Sequence, residues 1–96
     1  MFSFKGFNDI ALDIAAAARA RRLAADLSRK SLSARSGVSE GTIKRFESTG
    51  EIALLSLLKL AQALGCLDEF KALFPQAPGP VGLEEILKPA RQRGRG

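Results

Sequence analysis

A run of polar and cationic residues between positions 27 and 50 has the composition of a nucleic-acid-binding surface. It reads LSRKSLSARSGVSEGTIKRFESTG and carries Lys44 and Arg45 side by side near its end. Lysine and arginine side chains donate hydrogen bonds to O6 and N7 of guanine in the major groove of DNA. We therefore expect Arg45 to be the main base contact, with Lys44 next to it.

The residues just upstream, Glu40 and Gly41, extend the same candidate surface. A glutamate can accept a hydrogen bond from cytosine N4, but an acid in the first turn of a helix also stabilises the helix dipole without any ligand. Both roles stay open for Glu40. Gly41 has no side chain and would let DNA approach the backbone closely.

The elements that must position these residues are two short helices joined by a tight turn. Ser28 is suited to cap the first helix, which ends at Ser36, and Gly37 supplies the positive φ that a sharp turn requires. Ser39 is suited to cap the second helix, predicted over residues 40–48. Helical spacing directs four apolar side chains of this unit into one core: Leu32, Val38, Ile43 and Phe46. The pattern is that of a helix-turn-helix.

Three more helices are predicted around this unit, over residues 10–25, 53–64 and 67–74, the last ended by Pro75. The sequence thus predicts an all-α fold, a five-helix bundle with a central helix-turn-helix, a short N-terminal arm and a flexible basic C-terminal tail. The predicted divisions are an arm at 1–9 containing Phe2, Phe4 and Phe7, a DNA-binding domain at 10–74, and a third segment at 75–96. That third segment comprises a Pro/Gly linker, a helical turn at 83–88 and the basic end RQRGRG.

Composition narrows the classes of function. The formal net charge is +5, and eight basic residues lie between Arg19 and Arg45, which favours a polyanionic partner. The chain has no histidine and only one cysteine, Cys66, so we expect no catalytic residues, no metal site and no cofactor. It shows neither a secretory signal nor a run of about 20 apolar residues. This predicts a cytoplasmic protein with no membrane partner.

The helix-turn-helix stretch and its surroundings resemble the Xre family of regulators, the phage Cro and repressor type. The resemblance runs from about residue 14 to residue 73. It is carried by Arg19, Arg22, Leu27, Ser28, Leu32, Gly37, Val38, Ser39, Thr42, Ile43, Glu47, Gly50 and the segment LLKLAQALG at 57–65. Three positions depart from the family pattern: Asp26 stands where a glycine is usual, Ser33 where alanine is usual, and the pair Glu40-Gly41 where a polar base-reading pair is common.

The resemblance implies roles for individual residues. Arg22 and Glu47 would form an ion pair that ties the first helix to the end of the recognition helix. Arg29 stands where the family has a phosphate-contacting glutamine, and Ser39 and Thr42 would contact phosphate or sugar. Asp26 is tolerable at its position because aspartate can adopt the left-handed conformation.

The C-terminal part, LGCLDEFKALFPQAPGPVGLEEILK followed by RQRGRG, resembles the same part of small antitoxins encoded with HipA-type kinase toxins. This resemblance implies an antitoxin that represses its own promoter and binds a HipA-type kinase toxin. A phage-type or chromosomal repressor with no toxin partner is the alternative. A protein- or RNA-binding module is a further alternative, since RGRG weakly matches arginine-glycine segments that bind RNA.

Surplus apolar residues on the fourth and fifth predicted helices and in the Phe-containing arm suggest a homodimer. Two copies would place two recognition helices one DNA turn apart, on an inverted-repeat operator with half-sites about 34–36 Å apart. A monomer that buries all of these residues in one core is the alternative.

Overall fold

The computed structural model describes residues 6–75, and it contains five helices in this range. Four are α-helices: α1 (Phe7–Ala24), α2 (Arg29–Ser36), α3 (Glu40–Thr49) and α4 (Leu54–Ala63). A 3₁₀ helix, Leu67–Ala72, follows α4. The predicted all-α class and the predicted order of helices are confirmed, and residues 6–75 include no β-strand.

The first helix begins three residues earlier than the sequence pattern predicts. Gly6 is its N-cap, and the backbone N–H of Gly6 donates to Oδ2 of Asp9 at 3.3 Å. An aspartate in the first turn stabilises the helix dipole, so the helix extends back to Phe7. The assignment of Phe7 to a non-helical arm was therefore wrong: Phe7 is the first residue of α1, with its side chain exposed.

The last helix is shorter and more tightly wound than predicted, since it ends at Ala72 rather than at residue 74. Leu73 and Phe74, which the pattern placed on its apolar face, are exposed. The rest of the predicted arm, with Phe2 and Phe4, lies outside the described residues. So do the linker after Pro75, the turn at 83–88 and the basic tail.

The core lies where α1, α2, α3 and α4 meet. All four apolar residues predicted from the helix-turn-helix pattern are buried there, and Leu60 of α4 joins them. Ala15 of α1 is fully buried against the same cluster because its small side chain lets α1 approach closely. Burying these side chains fixes the angle between α2 and α3, and thereby the surface that the two helices share.

Two residues with left-handed backbone angles, Asp26 and Gly50, lie in the links between the helices that form this core. Gly50 ends α3 at φ +81°, and a Cβ added there would stand 2.9 Å from the carbonyl carbon of Ala11 in α1. Glycine is required at this position both by its backbone angle and by the approach of α1. Asp26 adopts φ +59°, the left-handed conformation expected of it.

An apolar groove lies between α1 on one side and α4 with the 3₁₀ helix on the other, and side chains from all three helices line it. Ile14, Leu57, Leu64 and Phe70 contribute to its walls, with Arg21 at the edge. At its start, α4 also exposes Leu54 and Leu55. The apolar surplus predicted from the sequence is therefore only partly buried in the described residues.

Candidate nucleic-acid interface

Each of the two central helices starts at a serine cap, as predicted. The backbone N–H of Ser31 donates to Ser28 Oγ at 3.0 Å, and the N–H of Thr42 donates to Ser39 Oγ at 3.1 Å. Between the helices, Gly37 adopts φ +81°. A serine side chain satisfies an amide that the first turn of a helix leaves without a partner. These local bonds fix where α2 and α3 begin and how the chain turns between them.

The beginnings of α2 and α3 face a shared concavity, which we call the α2–α3 concavity. It is lined by Arg22, Ser28, Arg29, Lys30, Glu40, Gly41 and Lys44. Four of the predicted DNA contacts are thus brought together on one surface. Lys30 was missed by the sequence reasoning, although its place directly after Arg29 in a capped helix was a usable signal. Lys30 and Lys44 form no ion pair within residues 6–75, so both charges are available to a ligand.

The predicted contacts Ser39 and Thr42 lie at the start of α3 but do not line the concavity. The Ser39 hydroxyl donates to Thr42 Oγ1 at 2.9 Å, and the same Ser39 oxygen caps the helix. Both side chains therefore have a structural role in the cap. The Thr42 hydroxyl keeps a proton to donate to an acceptor outside the protein.

Arg45 also lies away from the concavity, on the exposed side of α3. Its Nη2 donates to Oε1 of Glu51, just beyond the end of the helix. Both side chains are about two-thirds exposed, at 68% and 66%. The sequence did not predict Glu51 as a partner of Arg45, because Glu51 follows the Gly50 that ends α3 and lies in no predicted helix.

A buried carboxylate lies behind the concavity. The Glu47 side chain is 4% exposed, and it accepts from Arg22 Nε at 2.8 Å and from Arg22 Nη2 at 3.1 Å. The ion pair that the family resemblance implied is therefore present, in bidentate form. Arg22 also donates from Nη1 to the carbonyl of Leu27 at 2.9 Å, so it ties α1 to both α3 and the start of α2.

A third residue completes this group. Arg29 donates from Nε to Glu47 Oε1 at 2.9 Å, while its side chain stays 38% exposed. We call Arg22, Glu47 and Arg29 the buried arginine–glutamate triad. Burial by itself raises the pKa of Glu47, but hydrogen bonds and positive charge from the two arginines lower that pKa below its usual 4.5. Glu47 is thus a carboxylate at neutral pH, and the triad carries one net positive charge.

Gly41 presents bare backbone to the concavity. A Cβ added there would meet no heavy atom within 4 Å, and its φ is not positive. Packing and backbone angle therefore give no reason for a glycine at this point of a helix. An open, small residue here leaves room for a ligand to approach the start of α3.

Other kinds of site have little support in the described part of the chain. Residues 6–75 hold no cluster of three or more side chains able to bind a metal ion. Within the same range, no helix is both long enough and apolar enough to cross a membrane. The concavity is the surface on which four of the seven predicted binding residues meet: Arg29, Glu40, Gly41 and Lys44.

Comparison with known proteins agrees with this geometry. The model of an Xre-like helix-turn-helix family matches residues 19–69, more than half of the 96 residues. The match covers α2, the turn, α3 and α4, together with the part of α1 that contains Arg22. No curated protein matches the chain. The protein therefore belongs to the Xre-like helix-turn-helix family of DNA-binding transcriptional regulators.

Proposed function

We propose that the protein is a sequence-specific transcriptional repressor that binds double-stranded DNA through the α2–α3 concavity and the exposed side of α3. The observation that carries this proposal is the convergence of Arg29, Lys30 and Lys44 around the open backbone at Gly41. Cations at helix starts raise affinity for phosphates, and a helix of about this size enters the major groove.

Two kinds of contact divide the work at this surface. Arg29 and the hydroxyl of Thr42, which Ser39 orients by donating to Thr42 Oγ1, contact the sugar-phosphate backbone and set the position of the protein on the duplex. Lys44 and Arg45 contact base edges, and Glu40 either joins them or only stabilises the helix dipole. Because Gly41 contributes no side chain, much of the sequence preference comes from Lys44, Arg45 and the shape of the DNA.

Binding to labelled duplexes tests both kinds of contact. The wild-type protein should prefer a duplex from its own promoter region over random duplex at moderate salt. Arg45→Ala should reduce that preference by about 1–3 kcal/mol at the contacted base pair. Arg29→Ala should instead weaken binding to all sequences alike and lower the salt slope by about one. No preference in the wild type, or full preference in Arg45→Ala, would contradict the proposal.

The repressor acts as a homodimer on an inverted repeat. The exposure of Leu54, Leu55, Leu73 and Phe74 supports this, since a small monomer gains little from exposing so many large apolar side chains. Half-sites about 34–36 Å apart are then expected. Sedimentation of the protein alone and with DNA checks the stoichiometry, and one copy in both states would refute the dimer.

We further propose that the repressor is the antitoxin of a toxin-antitoxin operon and that its partner is a HipA-type kinase toxin. The resemblance of the C-terminal part supports this role, which leaves the DNA chemistry unchanged. The adjacent reading frame tests it directly. A kinase gene next to this gene and co-purification of the two products would support the antitoxin role. A lone gene would leave a repressor without a toxin partner.

A further inference from the structure

The buried arginine–glutamate triad contains one arginine whose hydrogen-bonding capacity is largely unused. All three side-chain nitrogens of Arg22 donate hydrogen bonds, two to Glu47 and one to the Leu27 carbonyl. Arg29 spends only Nε, at 2.9 Å from Glu47 Oε1. Its Nη1 and Nη2 groups have no partner within residues 6–75. A guanidinium is a rigid planar fork, so holding Nε fixes the orientation of both free groups.

The location of Arg29 gives these free groups a purpose. Arg29 is the first residue of α2, Lys30 follows it, and the first turn of α2 contains no acidic residue. Positive charge is unfavourable next to the positive end of a helix dipole unless a nearby anion compensates it. Glu47, reaching across from α3, provides one such anion inside the protein. A phosphate in the α2–α3 concavity, which Arg29 lines, would provide a second.

We propose that Glu47 is a positioning residue for DNA binding: it holds the Arg29 guanidinium so that Nη1 and Nη2 face a backbone phosphate. The inference rests on the proposed DNA-binding function and deepens it. An arginine held in its bound orientation loses less conformational entropy when it binds than a freely rotating one. Arg22 secures the arrangement by holding the other side of the same carboxylate.

Glu47→Gln tests the positioning role, because a positioning effect and a simple charge effect change the DNA affinity in opposite directions. The substitution removes one acidic side chain next to a polyanion-binding surface, so a simple charge effect tightens DNA binding. Positioning predicts the opposite. We expect affinity for random-sequence duplex to fall about tenfold, because phosphate contacts do not depend on sequence. The slope of log K against log salt should become shallower by about 0.9, the value for one lost phosphate contact.

Glu51→Gln is the matched control. It also removes a glutamate paired with an arginine near α3, but that pair is exposed and lies outside the concavity. Its affinity for the same duplex should stay level or rise. Wild type that binds no duplex would overturn the proposed function itself. Wild type that binds, with Glu47→Gln binding as tightly or more tightly, would overturn only the positioning role.

A second variant protects the test against loss of folding, because Glu47 is buried. Arg29→Lys keeps the charge and leaves the Arg22–Glu47 pair in place. Lysine has a single ammonium group, so it cannot bond to Glu47 through one nitrogen while two other nitrogens face a phosphate in a fixed orientation. We expect this variant to bind duplex about tenfold more weakly than wild type, as Glu47→Gln does, with an unchanged circular dichroism spectrum. Undiminished binding by Arg29→Lys would refute the inference. In the double variant with Glu47→Gln, affinity should fall no further than in either single variant.

Discussion

Replacing Gly41 with alanine should move stability and DNA affinity in opposite directions. The new methyl group meets no protein atom within 4 Å, and the backbone of Gly41 is not in the left-handed region. Inside a helix, glycine is about 0.8–1.0 kcal/mol less favourable than alanine. Gly41 lies in the first turn of α3, so a gain of about 0.5–1 kcal/mol is expected.

This gain is measurable by thermal unfolding. In a domain of about 60–100 residues, 1 kcal/mol shifts Tm by about 4–8 °C, so Gly41→Ala should raise Tm by about 2–8 °C. The same methyl group would occupy the space through which DNA approaches the start of α3. We expect affinity for promoter duplex to fall about tenfold, or about 1.4 kcal/mol, in the same buffer.

Gly6→Ala is a suitable control, because its added methyl group also meets nothing within 4 Å and lies at the N-cap of α1, outside the concavity. It should leave DNA affinity unchanged. A Tm for Gly41→Ala at or below that of wild type would refute the claim that the fold does not need this glycine. A raised Tm with wild-type affinity would refute the close approach of DNA.

Two further predictions concern the fold that supports the interface. Gly37 and Gly50 share φ +81°, so alanine at either position should destabilise the folded protein by about 1–2 kcal/mol. Only the methyl group of Gly50→Ala also meets the backbone of Ala11, so the denaturant midpoint should fall clearly further in Gly50→Ala than in Gly37→Ala. Equal losses would contradict this. Because folding lowers the pKa of Glu47, its carboxylate contributes fully to stability above about pH 4.5, and this contribution is lost as the pH falls through the folded-state pKa. The stability difference between wild type and Glu47→Gln should therefore shrink in that acidic range. A difference independent of pH would refute the role of the carboxylate.

The sequence predicts the helix-turn-helix well because its signals are local. Ser28, Gly37 and Ser39 each act on residues within three positions along the chain, and the structure shows the expected caps and turn. The four core positions follow from helical spacing over a short stretch. The start of α1 was predicted three residues late because a glycine N-cap gives a weaker signal than serine, although Asp9 was present to complete it.

The pairing of charges could not be read from the sequence alone. Arg29 and Glu47 are 18 residues apart, and they meet only because α2 packs across α3. The Arg22–Glu47 pair came from family resemblance and not from spacing. Since charged side chains at the surface have many possible partners, only the packed arrangement of helices shows that one glutamate serves two arginines.

The pairing of Arg45 with Glu51 leaves Arg45 able to contact a base, as the magnitudes show. Both side chains are mostly exposed, and exposed ion pairs contribute about 0.2–1 kcal/mol, less at higher salt. A bidentate contact to guanine contributes about 1–3 kcal/mol of discrimination. Breaking the pair therefore removes only part of the gain. Glu51 also repels phosphates, so we expect Arg45 to bond to a base and Glu51 to turn to solvent in the complex with DNA. The proposed interface would then combine a fixed Arg29 with an adjustable Arg45.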